Sequence, residues 1–281
     1  MSRKYYIQNE NGERLDLNGV NGVWFFDASG LGLETDNGFA DLGNGFFSMV
    51  NAAIPQQTID GTLLFKGADR ARVYQNAVQF LTSAKQLILV FAPISTEYNR
   101  RVKVRFLSKG ESTRTHIETS ISFAVLTPWY LPSPVTLHFS DPAKIDYFAW
   151  GVSAWGSAPL APNNSGKYAA EVYANGHLPA AVRVSLDGRV IDPVITLRGA
   201  GDNVVYGRCS LYGTYNGTLV LDTRYSGSSV TVNGVDMLDS LDIDTEPFFR
   251  VPLNDSYIIE IESVEFTGEA SAELFEYYRS V

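Results

Sequence analysis

The residues that could carry out nucleophilic or acid–base chemistry are few in this sequence and lie far apart. Its three histidines, His116, His138 and His177, form no metal-binding spacing with one another or with Cys209, the single cysteine. The segment Gly151–Gly156 places a serine between glycines, but its spacing differs from the G-x-S-x-G turn that exposes a catalytic serine. Nucleophilic catalysis needs a serine or cysteine beside a base. We therefore expect a protein that is not an enzyme and that uses no metal or cofactor.

Carboxylates are concentrated between Asp236 and Glu246, where five acidic residues fall within eleven positions. Calcium takes about six to eight oxygen ligands, but the D-x-D-x-D-G order of a calcium loop is missing. Glycoside hydrolysis needs two facing carboxylates, and no pair stands out. A solvated acidic loop is the preferred interpretation, with calcium binding and a glycosidase as the alternatives.

A basic strand is the clearest charged pattern in the sequence. Arg101, Lys103 and Arg105 alternate with apolar residues up to Phe106, which predicts one basic face and one apolar face that includes Phe106. The basic residues have no interleaved aromatics, and the chain carries a net charge of −9, so specific nucleic-acid binding is disfavoured. We expect this face to be solvated or to contact another subunit.

Four aromatic residues form the other binding signal. Trp129, Tyr147, Trp150 and Trp155 lie close together along the chain, and aromatic rings can stack on sugars or anchor protein interfaces. Burial at a junction between domains is the preferred interpretation. Glycan binding by these aromatics is the alternative.

The elements expected to position these residues are mostly short strands. In the last hundred or so residues, segments rich in β-branched and aromatic residues alternate with Gly, Asn, Asp or Ser, which predicts an antiparallel β-sandwich. These segments are 181–186, 190–197, 217–223, 229–232 and 256–262. A helix is expected over residues 70–84 with Asp69 as its N-cap, followed by an apolar strand over residues 87–92.

Prolines and glycines suggest how the chain is divided. Three prolines between Pro128 and Pro134 predict a linker, and hence domains at residues 1–130 and 131–281. Seven glycines between Gly19 and Gly45 predict strands joined by tight turns, with loops that contact other subunits as the alternative. No apolar stretch reaches the roughly 20 residues of a membrane helix, and the N-terminus does not resemble a secretory signal.

The order of these segments resembles the siphophage distal tail protein family, often called Dit. The resemblance rests on the loop Gly30-Leu31-Gly32-Leu33, the helix and apolar strand between Tyr74 and Pro93, and the basic hairpin that leads from Arg101 to Pro128-Trp129-Tyr130. The later strand segments are similar to the family's galectin-like sandwich in order and spacing. Pro193 would lie within one of these strands, at an edge or a bulge.

The resemblance implies a mainly β fold with two domains. The first would be β-sandwich-like with one α-helix and would form a ring, and the second would be a galectin-like antiparallel β-sandwich. None of the quoted residues matches a galectin sugar-binding motif, so no sugar site is carried over.

The same resemblance implies a structural role at the virion tail tip, after synthesis and assembly in the bacterial host cytoplasm. The expected partners are five further copies in a hexameric ring, the tail tube protein, the tail-associated hub protein and receptor-binding proteins, without membrane insertion. We expect the subunit interface to include Gly30, Leu31, Gly32, Leu33, Arg101, Lys103 and Arg105. A carbohydrate-binding protein that recognises a host surface polysaccharide is the alternative function.

Overall fold

The computed structural model of the chain describes residues 3–32, 34–44, 46–53, 55–108, 110, 112–139, 166–242 and 246–281. It divides into two compact units. The first unit contains Met1–Pro132 together with Tyr278–Val281, and the second unit contains Ser133–Tyr277. The division falls within the proline-rich segment between Pro128 and Pro134. Among the described residues, no helix is long and apolar enough to span a membrane.

The first unit contains ten strands and one helix among its described residues. They are β1 (Lys4–Asn9), β2 (Arg14–Asp16), β3 (Val23–Ser29), β4 (Asp36–Gly43), β5 (Phe46–Ala53), β6 (Thr58–Lys66), α1 (Arg70–Ser83), β7 (Leu87–Ala92), β8 (Tyr98–Leu107), β9 (His116–Val125) and β10 (Trp129–Tyr130). The expected helix and the expected apolar strand at residues 87–92 are both confirmed.

Seven of these strands form one antiparallel sheet in the order β2-β1-β7-β8-β9-β6-β3. The two ends of the sheet meet just after β2. There the Phe25 N–H donates to the Leu17 carbonyl over 2.9 Å, and Asn18 pairs with Trp24. The sheet therefore closes on itself, which protects the edges that an open sheet would leave exposed.

The closed sheet surrounds the core of the first unit. Ile7, Leu63, Leu89 and Phe123 are among its fully buried side chains. Helix α1 covers part of this core with Ala77 and Leu81, which are buried, and with Tyr74, whose ring meets Phe65 edge-on at 5.3 Å. Asp69 takes the expected N-cap position, but its carboxylate accepts from Arg72 over 2.7 Å and does not cap the helix.

The second unit contains the remaining ten strands of the described chain. They are β11 (Val135–His138), β12 (Gly166–Tyr173), β13 (Leu178–Ile191), β14 (Val194–Gly199), β15 (Val205–Ser210), β16 (Thr214–Asp222), β17 (Ser229–Val232), β18 (Val235–Asp236), β19 (Ser256–Ser263) and β20 (Glu265–Tyr278), with a 3-10 turn at Leu238–Ser240. One sheet has the order β18-β17-β16-β13-β20-β11, and the other has the order β12-β19-β14-β15.

Residues from both sheets enclose one core, which includes Val184, Leu221 and Leu274 from the first sheet and Ile195 and Ile259 from the second. The predicted mainly β fold is confirmed by this arrangement. Two details of the strand prediction were wrong. Strand β13 runs without a break through Asp187–Gly188, and Pro193 lies in the turn after β13 instead of inside a strand.

Candidate functional site

The strands β4 and β5 form an exposed hairpin, which we call the arm. They pair with each other as a separate two-stranded sheet. Four apolar side chains of the arm, Phe39, Phe46, Met49 and Val50, are each at least 60% exposed. Exposed apolar patches on otherwise folded proteins commonly mark interaction surfaces.

The pairing register brings two of these side chains together. Phe39 lies directly opposite Met49, so both project from the same face of the hairpin. The register then shifts between Gly38 and Phe39, which leaves Val50 as the extra residue of a β-bulge. An isolated two-stranded hairpin is only marginally stable in water, and burial of each large apolar side chain contributes roughly 1.5–3 kcal/mol. A partner that covers the arm would therefore stabilise it.

The loop that precedes the arm is fixed to the core. Gly30 has a φ of +78°, and a Cβ at this position would lie 1.9 Å from the Thr58 carbonyl oxygen. The carbonyl of Leu31 accepts a hydrogen bond from Trp129 Nε1 over 3.3 Å. Gly32 is exposed and has open space where a Cβ would be, while Leu33 lies outside the described residues. The arm thus begins from an anchored point.

Trp129 does not belong to a glycan-binding surface. Its side chain is fully buried, it contacts Phe91 with 6.0 Å between ring centroids, and the Arg100 guanidinium lies 5.2 Å from its ring centroid. The alternative that Trp129 stacks on a sugar was therefore wrong, because no face of the ring is accessible. Tyr147, Trp150 and Trp155 lie outside the described residues.

The predicted basic strand is β8, and its alternation is interrupted. Lys103 and Arg105 are exposed and Arg101 is half-buried. The register with β9 shifts between Val104 and Phe106, which leaves Arg105 as the extra residue of a β-bulge. Phe106 is consequently 50% exposed, and its expected place on the apolar face was wrong. Leu107 packs against the core instead.

A depression of about 440 Å³ lies between the end of α1 and β8. Its lining includes the basic residues Lys85, Arg101 and Lys103 and the exposed Leu126. Burial raises the pKa of the Tyr130 hydroxyl. A hydrogen bond between Tyr130 and Arg101 partly opposes this rise. The depression therefore combines cationic groups with apolar surface.

The neighbouring residue Arg100 has a structural role that the sequence pattern did not reveal. Its Nε donates to the Thr127 carbonyl over 2.9 Å, and its Nη2 donates to Gln57 Oε1 over 2.5 Å. Burial lowers the pKa of this guanidinium to about 10. Arg100 thus joins the segment after β9 to the segment before β6, with neutral oxygens as its acceptors.

The candidate chemical groups are dispersed or buried. Cys209 belongs to the core of the second unit, where burial raises the pKa of its thiol to about 12. His116 lies at the start of β9, and its Nδ1 contacts the hydroxyls of Thr113 and Thr115. Within the described residues, no group of three or more His, Cys, Asp or Glu side chains could hold a metal ion.

One family of known proteins matches most of the first unit. The family described as "Distal tail protein, N-terminal domain" matches residues 4–126. No curated protein sequence matches the chain.

Solved structures of phage proteins have the same fold over nearly the whole chain. A chain of the phage P2 baseplate in its activated conformation with calcium is 14% identical, with complete coverage of both chains and a TM-score of 0.64. A chain of the corresponding strontium structure is also 14% identical, with complete coverage of both chains and a TM-score of 0.65. The SPP1 Dit protein, described as a paradigm of the hub adsorption apparatus in phages that infect Gram-positive bacteria, is 11% identical. That comparison covers 97% of this chain and 98% of the SPP1 chain, with a TM-score of 0.65. Residues 4–126 are therefore similar to the N-terminal domain of distal tail proteins.

Proposed function

We propose that this chain is a structural protein of a phage tail tip, and that six copies close a hub ring through their first units. The family match over residues 4–126 and the shared fold with baseplate and hub proteins support this role. The observation that carries the proposal is the arm, because it exposes Phe39 and Met49 as a cross-strand pair.

A closed ring requires two different complementary surfaces on every copy, since its contacts are head-to-tail. The arm provides the first surface, with Asp36 and Asp41 beside its apolar side chains. The basic strand β8 and the adjacent depression provide the second, with Lys103 and Arg105 exposed. The two surfaces have opposite charge and both contain apolar area, so each arm can dock on β8 of the next copy.

The remaining parts of the proposal concern partners and location. Residues 1–130 form the ring, and residues 131–281 form a galectin-like β-sandwich domain. One face of the ring binds the tail tube protein, and the other binds the tail-associated hub protein and, through it, receptor-binding proteins. The ring is synthesised and assembled in the bacterial host cytoplasm and ends at the virion tail tip. A net charge of −9 on each copy disfavours adhesion of DNA to the ring.

Sedimentation velocity of the full chain tests this proposal. We expect the wild type to sediment as a six-subunit species, and the double variant Phe39→Ser/Met49→Ser to sediment as single subunits. Val20→Ser is the matched control, because Val20 is 79% exposed in the same unit but lies outside the arm. Wild-type protein that stays a single subunit at every concentration would contradict the proposal, as would a double variant that assembles normally.

A further inference from the structure

The sulfur atoms of this chain are the groups that a mild oxidant attacks most readily. The sequence contains three methionines and one cysteine. Met1 lies outside the described residues, and the other three, Met49, Cys209 and Met237, have different surroundings. Susceptibility to oxidation rises with exposure and, for cysteine, with thiolate character. The surroundings of each sulfur therefore predict which of them reacts in the folded chain.

Cys209 and Met237 are protected by packing in the second unit. Cys209 is buried in the core, and burial raises the pKa of its thiol to about 12, so the reactive thiolate does not form at neutral pH. Met237 is half-buried and packs against the same core. Its backbone N–H donates to the Val230 carbonyl over 2.9 Å, which holds it beside strand β17. An oxidant dissolved in water therefore reaches both sulfurs poorly.

Met49 is the accessible methionine among the described residues. It lies on β5 of the arm, and its side chain is 60% exposed. Ser48 and Val50, which flank it along the strand, are exposed as well. Within the described part of the chain, β4 and β5 pair only with each other, so no third strand adjoins β5. In an unassembled copy of the chain, the sulfur of Met49 should therefore react first.

The register of the arm makes Met49 part of its apolar contact surface. Phe39 lies directly opposite Met49, so the thioether and the aromatic ring project from the same face of the hairpin. Thioether sulfurs make favourable contacts with aromatic rings. The same two side chains carry the proposed docking of the arm on another copy of the chain, so the inference below rests on the proposed ring.

The reaction of a thioether with hydrogen peroxide is a two-electron oxidation. A lone pair of the Met49 sulfur attacks one peroxide oxygen, so that an S–O bond forms and the O–O bond breaks. The second oxygen leaves as water after proton transfer, and the peroxide is thereby reduced. The product is methionine sulfoxide, which is polar where the thioether was apolar. Methionine sulfoxide reductases reverse the reaction with a thiol as the reductant.

A sulfoxide at Met49 opposes burial of the arm, because burial of a polar group without a hydrogen-bond partner is unfavourable. We propose that Met49 is a reversible oxidation site, and that its sulfoxide weakens docking of the arm on another copy of the chain. A docked arm covers Met49, so the assembled ring should resist the same oxidant. Oxidation at this site thus acts on copies that have not yet assembled.

Peptide mapping by mass spectrometry after peroxide treatment tests the reactivity of Met49. In dilute full-length chain, Met49 should be oxidised at least about tenfold faster than Met237, because only Met49 is openly exposed. The rate at Met49 should fall when the wild type is concentrated enough to assemble. Phe39→Ser, which weakens docking, supplies unassembled chain if dilution does not. Equal rates at the two methionines, or faster oxidation of Met237, would overturn the inference.

Sedimentation velocity before and after peroxide tests the effect on assembly. The oxidised wild type should associate about tenfold or more weakly, because each contact loses a buried apolar side chain. The sulfoxide reductases should restore association. Met49→Gln, with a polar side chain of similar length, should associate like the oxidised wild type. Met49→Leu has no sulfur at this position, so its association, whatever its starting strength, should not respond to peroxide. Met237→Leu is the matched control and should stay as sensitive as the wild type.

The outcomes separate this inference from the ring on which it rests. Wild-type protein that never assembles contradicts the ring and the oxidation site together. Wild-type protein that assembles equally well before and after oxidation of Met49 overturns the inference alone. A loss of association that the reductases do not reverse, or that Met49→Leu shares, overturns it as well. If a variant at Met49 fails to fold, as thermal unfolding would show, reversal of the wild-type effect by the reductases decides the question.

Discussion

The arm and the closed sheet of the first unit are both rich in apolar residues, but they use them in opposite ways. In the closed sheet, Leu63 and Phe123 are fully buried, and every strand between β2 and β3 has a partner on both sides. In the arm, Phe39 and Met49 are mostly exposed, and each strand has only the other strand as a partner.

Apolar content alone therefore does not distinguish a core from a contact surface. Burial of the closed-sheet residues contributes to the stability of the single chain. Burial of the arm residues can contribute only when another surface covers them. The two regions should therefore respond differently to the same substitutions.

The largest contrast should come from truncation of phenylalanines. Phe123→Ala should lower the free energy of unfolding by about 3–5 kcal/mol, because it leaves a cavity in the core. Phe39→Ala should change it by less than about 0.5 kcal/mol in the unassembled chain. Urea denaturation measures both values. Similar losses for the two variants would mean that the arm packs within its own chain.

Two basic residues on β8 extend the comparison to polar side chains. Arg100→Ala should lower the free energy of unfolding by roughly 2–3 kcal/mol. The substitution removes the hydrogen-bond donors of the buried Gln57 side chain and of the Thr127 carbonyl. Lys103→Ala should have an effect near zero, because Lys103 is exposed on the same strand. A stability loss for Lys103→Ala as large as that for Arg100→Ala would contradict this assignment.

The two glycines before the arm separate an anchored position from an open one. Gly30→Ala should destabilise the first unit by roughly 1–3 kcal/mol, because its positive φ and its contact with the Thr58 carbonyl both disfavour a Cβ. Gly32→Ala should be nearly neutral, since a Cβ there meets no atom within 4 Å. Thermal unfolding of the two variants is the measurement. The expected order would be refuted if Gly32→Ala were the more damaging change.

The smallest expected effect on stability comes from ionisation of the Cys209 thiol, a buried group of the second unit. Burial raises the pKa of its thiol from 9.0 to about 12. The resulting stabilisation is fully present below pH 9 and is lost as the pH rises towards 12. Iodoacetamide should leave the folded protein unmodified at pH 8 and should alkylate Cys209 once urea unfolds the chain. Rapid alkylation of the folded protein would show that the thiol is accessible.

The sequence correctly predicted those elements whose own apolar pattern matches the burial that the structure shows. The helical stripe that contains Ala77 and Leu81 and the wholly apolar segment of β7 correspond closely to observed elements. Both have periodic or continuous apolar residues, which encode burial directly. Strands β17 and β19 were predicted for the same reason.

The features that the sequence did not reveal depend on pairing and packing between segments that are far apart in the sequence. Strand β20 is rich in Glu and Ala, which are depleted in strands, yet it pairs with β13 over most of its length. The bulge that exposes Phe106 depends on the register with β9. Trp129 gave no signal that distinguishes a buried ring from an exposed one, and the arm resembled any glycine-rich strand pair.

The ring itself is the central claim, and electron microscopy of the purified full chain tests it most directly. The proposal predicts closed particles with six-fold symmetry and a mass of about 185 kDa, which is six times 30.9 kDa. In these particles, density for each arm should lie against β8 of the adjacent copy. Particles of a single copy, or rings in which the arms contact only solvent, would contradict the proposal.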